Sequence, residues 1–313
     1  MTAIADQDRQ ALRQKTAELL REIRTIEVQT SRLVDQHLAG SYQSAFKGQG
    51  VVFSEVRPYT PGDEVRAIDW RVTARTNEPY VKLFAEEREL TMMLLVDMSA
   101  SLDFGSGPFD KRHLVARLCA TFAFSAIRNN DRVGLIGFTD RVEVFVPPRK
   151  GRKHVLSVLS RILSHVPAGT STDLACALEY LARLRHGTTV SLFVSDFVSD
   201  PPPGVDERFE RALKIAARRH DIIPVRVEDP LERAMPALGL VAVEDLERPG
   251  LAGFVDLGRR GARRYRVDVG EARRAVERLF RRLSMDWIDV STTSDWQAKV
   301  VGFFRRRARG AAR

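Results

Sequence analysis

The stretch that decides the fold is LTMMLLV at positions 90–96, followed directly by DMSAS at positions 97–101. A short apolar run that ends in a polar loop is typical of a strand buried on both faces of a parallel sheet. The first stretch therefore predicts an α/β fold, and the second shows that oxygen-bearing side chains follow the strand.

Downstream of this strand, helical and strand-like patterns alternate to the end of the chain. Strand patterns occupy 133–138, 142–146, 191–196, 222–227 and 287–290, and helical patterns occupy about 110–128, 152–164, 174–185, 206–219, 271–283 and 295–307. Alternation of this length predicts a doubly wound, mainly parallel sheet with helices on both faces. We place this domain at 89–300, with a loop-rich insertion at about 228–269.

The segments on either side of this domain have other patterns. Residues 1–39 are predicted to be helical, because apolar residues recur every three to four positions, and we expect the helix to pack on the rest of the chain. Residues 40–88 contain short β-prone runs between turn signals, which predicts a small β-rich region. Residues 301–313 are expected to form a basic tail that contributes little to folding.

The composition excludes several classes of protein. The 313 residues are 44% hydrophobic and 29% charged, which favours a globular chain over a disordered one. No apolar run reaches the roughly 20 residues of a membrane helix, and the first residues lack a signal-peptide pattern, so we expect a cytoplasmic protein without a transmembrane segment. The two cysteines, Cys119 and Cys176, are too few for a disulfide scaffold or a cysteine-rich zinc module.

The net charge of +9 is concentrated in two arginine clusters, RRGARRYR at 259–266 and GFFRRRARGAAR at 302–313. Clusters of this kind can bind nucleic acid or anionic lipid, but a solvated helix end and a polar hairpin are the favoured interpretation. Apart from Tyr265, neither cluster has the interleaved aromatic residues of a single-strand binder, so a nucleic-acid partner is disfavoured.

Five oxygen-bearing residues follow strands or open a helix where α/β sheets bind their ligands. They are Asp97, Ser99, Ser101, Thr172 and Asp196. Two carboxylates and three hydroxyls suit Mg²⁺ or Mn²⁺, whereas zinc or copper would favour imidazole or thiolate. Because hydroxyls leave such an ion under-neutralised, it would still attract a carboxylate from a partner. The pattern predicts a site for one divalent ion that binds an acidic group.

These five residues resemble the metal-ion-dependent adhesion site of von Willebrand factor A domains. The resemblance implies that Ser99 and Ser101 bind the ion directly and that Asp97 acts largely through water. It also implies that Asp196 is the second carboxylate. Thr172 matches the family threonine best, because TDLACAL from 172 onward has the family spacing, and Thr170 is the fallback.

A second resemblance lies upstream, in SEVRPYTPGDEVRAIDWRVTARTNEPYVKLFAEERE at 54–89. This segment resembles the hallmark of the bacterial family called domain of unknown function 58. The matching residues include Arg57, Tyr59, Gly62, Asp63, Arg66, Asp69, Trp70 and Arg75. We interpret them as structural, held by arginine–carboxylate pairs. Because members of that family commonly accompany MoxR-type AAA+ ATPases, the resemblance implies such a partner.

The sequence therefore predicts a non-enzymatic, metal-dependent interaction module, an adaptor or substrate selector for that ATPase, with no small-molecule substrate. Motifs for a P-loop, a nucleophile elbow and an HExxH zinc site are absent. A metal-dependent hydrolase or phosphotransferase using Asp97 is the enzymatic alternative, although Ser99 stands where such a phosphotransferase has a second aspartate. A basic nucleic-acid-binding protein is the other alternative.

Overall fold

The computed structural model describes residues 2–38, 42, 45–46, 52–64, 68–76, 78–85, 89–184, 187–199, 202–203, 206–246, 250 and 252–311. The chain divides into two compact units. One consists of Met1–Ala45 and Leu90–Arg313, and the other of Phe46–Glu89.

Helices and strands follow one another along the described residues. In chain order they are α1 (Thr2–Leu33) with a π-helical end (Val34–Leu38), β1 (Val52–Pro58), α2 (Trp70–Thr76), β2 (Tyr80–Ala85), β3 (Thr91–Asp97), a 3₁₀ turn (Ala100–Asp103), α3 (Lys111–Arg128), β4 (Arg132–Phe138), β5 (Val142–Arg149), α4 (Arg152–Ser164), α5 (Leu174–Arg183), β6 (Val190–Ser195), α6 (Glu207–Ala217), β7 (Asp221–Glu228), α7 (Pro230–Arg233), β8 (Gly239–Glu244), β9 (Ala252–Leu257), α8 (Arg259–Arg282), β10 (Ile288–Ser291) and α9 (Trp296–Ala311).

The larger unit is built on a six-stranded sheet with the order β10-β7-β6-β3-β4-β5. Each strand from β10 to β4 in this order is parallel to its neighbour, and β5 runs antiparallel to β4. The predicted doubly wound, mainly parallel sheet is confirmed. β5 is antiparallel because three residues, 139–141, join it to β4, and a parallel connection needs a crossover of a dozen residues or more.

The chain winds outward in both directions from β3. It first adds β4 and β5 on one side, and later adds β6, β7 and β10 on the other. The strand order therefore reverses between β3 and β6. In sheets of this kind the crevice outside the carboxyl ends of the strands at that point is where ligands bind.

Apolar layers cover both faces of the sheet, and this explains the unbroken apolar run in β3. Neighbouring side chains of a strand point to opposite faces. Met93 and Leu95 belong to a core cluster with residues of α5, α6 and α8. Met92 and Leu94 alternate with them and are also fully buried. On the face formed by α3 and α9, the rings of Phe122 and Phe304 pack 5.1 Å apart.

Helix α1 packs on α3 and α4, as expected for the N-terminal segment. Ile23, Ile26 and Leu33 supply its buried stripe. Glu27 adds an ion pair with Arg152, in which Nη2 donates to Oε2 over 2.7 Å. The amphipathic pattern thus reflects packing within the chain.

The insertion expected to be rich in loops is mostly regular. After α7, β8 and β9 form an antiparallel hairpin, and α8 then begins at Arg259, twelve residues before the predicted start at 271. The arginine cluster at 259–266 therefore forms the first turns of a helix, consistent with the high helix propensity of arginine and alanine. Gly261 lies in this helix at a position that requires glycine, because a Cβ there would overlap the carbonyl oxygen of Asp256.

The segment expected to be a basic tail is part of helix α9, which continues to Ala311. Val300, Phe303 and Phe304 are buried. Arg307 Nη2 lies 2.5 Å from both carboxylate oxygens of Asp221 on β7. Arg307 is therefore docked on the domain, while the small contribution of the arginines to folding stays a prediction. The arginines dominate the sequence of this segment, so its buried apolar residues were not recognised as one face of a packed helix.

Within the described part of the chain, no helix has both the length and the apolar character needed to cross a membrane.

Candidate functional site

The candidate site lies where the strand order reverses. Asp97 ends β3 and Asp196 directly follows β6. These neighbouring parallel strands are in register, with Val96 opposite Val194, so both carboxylates emerge at the same edge. A sequence separation of 99 residues is thus closed by sheet topology alone.

The loop after β3 joins its hydroxyls to Asp196 through a continuous line of hydrogen bonds. Ser99 Oγ lies 3.0 Å from Ser101 Oγ, and Ser101 Oγ donates to Asp196 Oδ2 over 2.9 Å. Because a hydroxyl has one proton, Ser99 must be the donor to Ser101. The loop holds this shape because Ser99 precedes the 3₁₀ turn and its carbonyl accepts from the Leu102 amide over 3.2 Å.

Asp97 supports the loop from below. Its Oδ1 accepts from the backbone amide of Ser99 over 2.9 Å, and its Oδ2 accepts from the hydroxyl of Ser195 over 2.7 Å. Burial and then the nearby charge of Asp196 raise the pKa of Asp97, while the bonds from Ser195 and Ser99 oppose the rise. When two carboxylates are so close that each disfavours the ionisation of the other, a cation beside them is stabilised.

Thr172 lies in the turn that opens α5. It is 7% exposed, whereas the fallback residue Thr170 is exposed. The next residue, Asp173, caps α5 and donates its amide to the carbonyl of Thr139 over 2.9 Å. Burial, then Asp173, and also the charge of Asp97 raise the pKa of Cys176 to about 12. The first turn of α5 therefore lies within electrostatic reach of Asp97.

Glu143, which was missed in the sequence, anchors the loop that leads to Thr172. Its carboxylate accepts from the backbone amides of Ala168 and Gly169 over 3.0 and 2.7 Å. It also bonds the hydroxyl of Thr139 and the ring of His165, both at 2.7 Å. Burial would raise the pKa of Glu143, but these hydrogen bonds prevail and lower it to about 2. Its only sequence signal was an acidic residue inside an apolar strand.

Lys111 was not recognised in the sequence either, and its side chain contacts Asp196 of the candidate site. Its side chain is fully buried at the start of α3, and Nζ donates to Asp196 Oδ2 over 2.9 Å and to Glu232 Oε1 over 2.6 Å. Burial lowers the pKa of Lys111, but the charges of Asp196 and Glu232 outweigh it, and the pKa is raised. An ammonium group is therefore already held at one of the two carboxylates.

Glu232 is held in position by a second aspartate. Asp229 starts α7 with a capping box, in which its side chain accepts from the helix and Glu232 Oε2 accepts from the Asp229 amide over 3.1 Å. Asp229 also bonds the hydroxyls of Ser106 and Thr292 over 2.6 and 2.7 Å. The insertion thus contributes a carboxylate to the site from a rigid base.

The ligand types at this edge fit a hard divalent ion. Hydrogen bonds join the side-chain oxygens of Ser99, Ser101 and Asp196 in a line, and Asp97 accepts from the Ser99 amide. Among the described residues, no cluster of three or more His, Cys, Asp or Glu side chains could hold a metal. An ion here would therefore depend on the serine hydroxyls as much as on the two carboxylates, a preference of Mg²⁺ and Mn²⁺.

In the smaller unit, several of the upstream hallmark residues lie in local hydrogen bonds and turns. Arg57 forms a two-pronged ion pair with Asp63, at 2.8 and 2.7 Å, and Asp63 also accepts from the Thr60 amide. Gly62 has a φ of +115°, which favours glycine in this turn. Asp69 accepts from the Arg71 amide over 2.9 Å at the start of α2.

The remaining hallmark residues differ in their contacts and in their exposure. Tyr59 donates its amide to the Pro79 carbonyl over 2.8 Å, joining the two ends of the β1–β2 hairpin. Trp70 is 68% exposed and Arg75 is also exposed. Arg66 lies outside the described residues.

Comparison with known sequences gives one family and several relatives. Residues 55–277 match the family described as "Protein of unknown function DUF58". An uncharacterized protein of Mycobacterium tuberculosis is 33% identical over 297 residues, covering 92% of this chain and 90% of that protein. The uncharacterized protein YeaD of Bacillus subtilis is 29% identical over 118 residues, covering 37% of this chain and 27% of that protein.

Comparison with solved structures finds similar folds. The conserved hypothetical protein BatB from Bacteroides thetaiotaomicron aligns over 70% of this chain and 99% of its own, with a TM-score of 0.43 and 14% identity. A von Willebrand factor type A protein from Catenulispora acidiphila aligns over 74% of this chain and 44% of its own, with a TM-score of 0.38 and 10% identity. At these identities the likeness concerns the fold alone.

Proposed function

Because the chain belongs to the family described as protein of unknown function DUF58, we propose that it is a metal-dependent protein-interaction module. The family resemblance inferred from the hallmark residues is confirmed by the match. In this proposal, Asp97, Ser99, Ser101, Thr172 and Asp196 hold one Mg²⁺ or Mn²⁺. The ion then binds an acidic side chain of a protein partner.

One observation carries the proposal, the line of hydrogen bonds from Ser99 through Ser101 to Asp196. It brings two hydroxyls and a carboxylate together at the edge where the strand order reverses. Asp97 lies behind them, already bonded to Ser99 and Ser195. A site assembled from two separate sequence segments is a stronger indication of binding than either motif alone.

The residue types favour binding over catalysis. When bound, the ion would supply an electrophilic centre for a carboxylate ligand. Ser99 and Ser101 are neutral donors, so they leave most of its charge uncompensated. Asp97 is directed to Ser99 and Ser195 and can orient the loop without contacting the ion. A partner carboxylate would be attracted to the remaining charge of the ion, and in the structure the hydroxyls of Ser99 and Ser101 are engaged in hydrogen bonds to each other and to Asp196.

The partner is inferred from the family resemblance. We propose a MoxR-type AAA+ ATPase, for which this chain would act as adaptor or substrate selector. A cytoplasmic location stays a prediction from the sequence.

A pull-down from the native cell tests the proposal. Tagged wild-type protein is incubated with lysate in Mg²⁺ and in EDTA, beside Ser99→Ala and the control Ser164→Ala, whose hydroxyl bonds Ser160 on the exposed face of α4. We expect an AAA+ ATPase with the wild type and the control in Mg²⁺, and its loss in EDTA and with Ser99→Ala.

Two results would contradict the proposal. Partner capture that is indifferent to EDTA and to Ser99→Ala would show that the site is not used for binding. Turnover of phosphate esters by the purified protein, dependent on Mn²⁺ and abolished by Asp97→Ala, would establish the enzymatic alternative instead.

A further inference from the structure

We propose that Lys111 is a tethered cation that competes with the divalent ion for Asp196, and that Glu232 receives the lysine when the ion binds. This inference rests on the proposed function, since it concerns the same metal site. It assigns roles to two residues that lie outside the five ligands. It also means that the affinity for the metal ion depends on how Lys111 is shared between Asp196 and Glu232.

The position of Lys111 is unfavourable in free energy for two reasons. It is the first residue of α3, where the helix dipole disfavours a positive charge. Its side chain is fully buried, and an ammonium group withdrawn from water is stabilised only by opposite charges close to it. Asp196 and Glu232 provide those charges, so the ammonium depends on the candidate site for its stability.

The lysine and the ion would use the same oxygen. Asp196 Oδ2 accepts from Lys111 Nζ and from Ser101 Oγ, each at 2.9 Å. A Mg²⁺ ion bound to that oxygen at its usual distance of about 2.1 Å would lie at most roughly 5 Å from the ammonium nitrogen. Two cations that close repel each other strongly in a buried site. Metal binding therefore requires the ammonium to withdraw from Asp196.

Glu232 gives the ammonium a place to go. It already bonds Nζ over 2.6 Å, and the capping box at Asp229 fixes the helix that carries it. When the ion takes Asp196, Lys111 keeps one full carboxylate partner. Asp97, Asp196 and Glu232 supply three formal negative charges, and Lys111 offsets one of them.

A purely structural ion pair would behave differently from a competitor. If Lys111 only stabilises the fold, its removal loosens the site and weakens metal binding or leaves it unchanged. If Lys111 competes, its removal strengthens metal binding. Removal of Glu232 has the opposite effect in the competition scheme, because the displaced ammonium then loses its remaining carboxylate. The opposite signs separate the two cases.

The experiment is a calorimetric titration of Mn²⁺ into the full chain, as wild type, Lys111→Met, Glu232→Gln and Lys153→Met. Lys153 is an exposed lysine on α4 and serves as the matched control. We expect Lys111→Met to bind Mn²⁺ at least tenfold more tightly than the wild type. Glu232→Gln should bind at least threefold more weakly, and Lys153→Met should match the wild type.

Circular dichroism checks that each variant is folded. If Lys111→Met does not fold, the double variant Lys111→Met/Glu232→Gln removes the charge together with its second partner. It is then compared with Glu232→Gln alone and is expected to bind Mn²⁺ at least tenfold more tightly.

The failures can be told apart. If the wild type binds Mn²⁺ and removal of Lys111 leaves the affinity equal or lower, the competition is refuted while the proposed metal site stands. If neither the wild type nor any variant binds Mn²⁺, the proposed metal dependence fails together with this inference.

Discussion

The hydroxyl of Ser101 donates a hydrogen bond to Asp196 Oδ2 over 2.9 Å, although the two residues lie 95 positions apart in the chain. Ser101 belongs to the loop after β3, and Asp196 follows β6. Their bond closes the edge of the sheet where the strand order reverses.

Ser101→Ala is expected to weaken Mn²⁺ binding roughly tenfold while leaving the melting temperature close to that of the wild type. The change removes one oxygen ligand and one hydrogen bond to Asp196, whose Oδ2 keeps its bond from Lys111, so the cost in stability should be small. Calorimetry and a thermal melt measure both quantities. Ser164→Ala is the control, and equal Mn²⁺ affinity in the two variants would remove Ser101 from the site.

Gly169→Ala is expected to destabilise the protein by about 1–3 kcal/mol, the usual cost of overpacking. A Cβ at this position would overlap Thr139 Oγ1 and Asp140 Oδ1, so the loop before Thr172 must shift. Urea unfolding gives the free energy, and Mn²⁺ affinity should fall as Thr172 moves. Gly187→Ala, where the space around a Cβ is open, serves as the control. Equal stability of the two variants would contradict the tight approach of this loop to Thr139.

Glu143→Gln is expected to lower stability in a pH-dependent way. The folded pKa of Glu143 is about 2, below the ordinary value of 4.5, because the hydrogen bonds to Ala168, Gly169, Thr139 and His165 outweigh the effect of burial. A carboxyl whose pKa is lower in the folded state adds stability that is fully present above about pH 4.5. That stability is lost as the pH falls toward 2.

The measurement is urea unfolding of the wild type and Glu143→Gln from pH 7 to pH 3. The difference in unfolding free energy should be constant from pH 7 to about pH 5 and should shrink below that. A difference that grows with acidity would show that the charged form of Glu143 is not the stabilising one.

Arg307→Ala is expected to destabilise the protein by about 1 kcal/mol, as for a half-buried ion pair. The guanidinium contacts both carboxylate oxygens of Asp221, which opens β7. Arg305→Ala, on the exposed side of the same helix, should cost much less. Thermal melts of both variants give the comparison. A loss that is equal in the two variants would return this segment to the role of a solvated basic tail.

The arrangement of the fold could be predicted because its signal is local. Met92 to Val96 are buried on both faces, and that burial produces the unbroken apolar run. The edge of the sheet then follows from topology, which is why Asp97 and Asp196 could be placed together from strand ends alone. The antiparallel direction of β5 depended on the length of its connection rather than on its residues.

The partners of the site could not be predicted, because their signal is not local. Lys111 lies 85 positions from Asp196 and 121 from Glu232, and its sequence context is that of an ordinary charged helix start. Glu143 is an acidic residue in an otherwise apolar strand, and its carboxylate bonds a loop 25 residues away. Such residues are found only once the fold brings their partners within bonding distance.

A titration of Mn²⁺ into wild-type protein and Asp97→Ala determines whether this edge of the sheet holds one divalent ion. We expect saturable binding of one ion per wild-type chain, and loss of that binding in a folded Asp97→Ala variant. Mn²⁺ binding that is unchanged by Asp97→Ala, or absent from the wild type at millimolar concentration, would contradict this expectation.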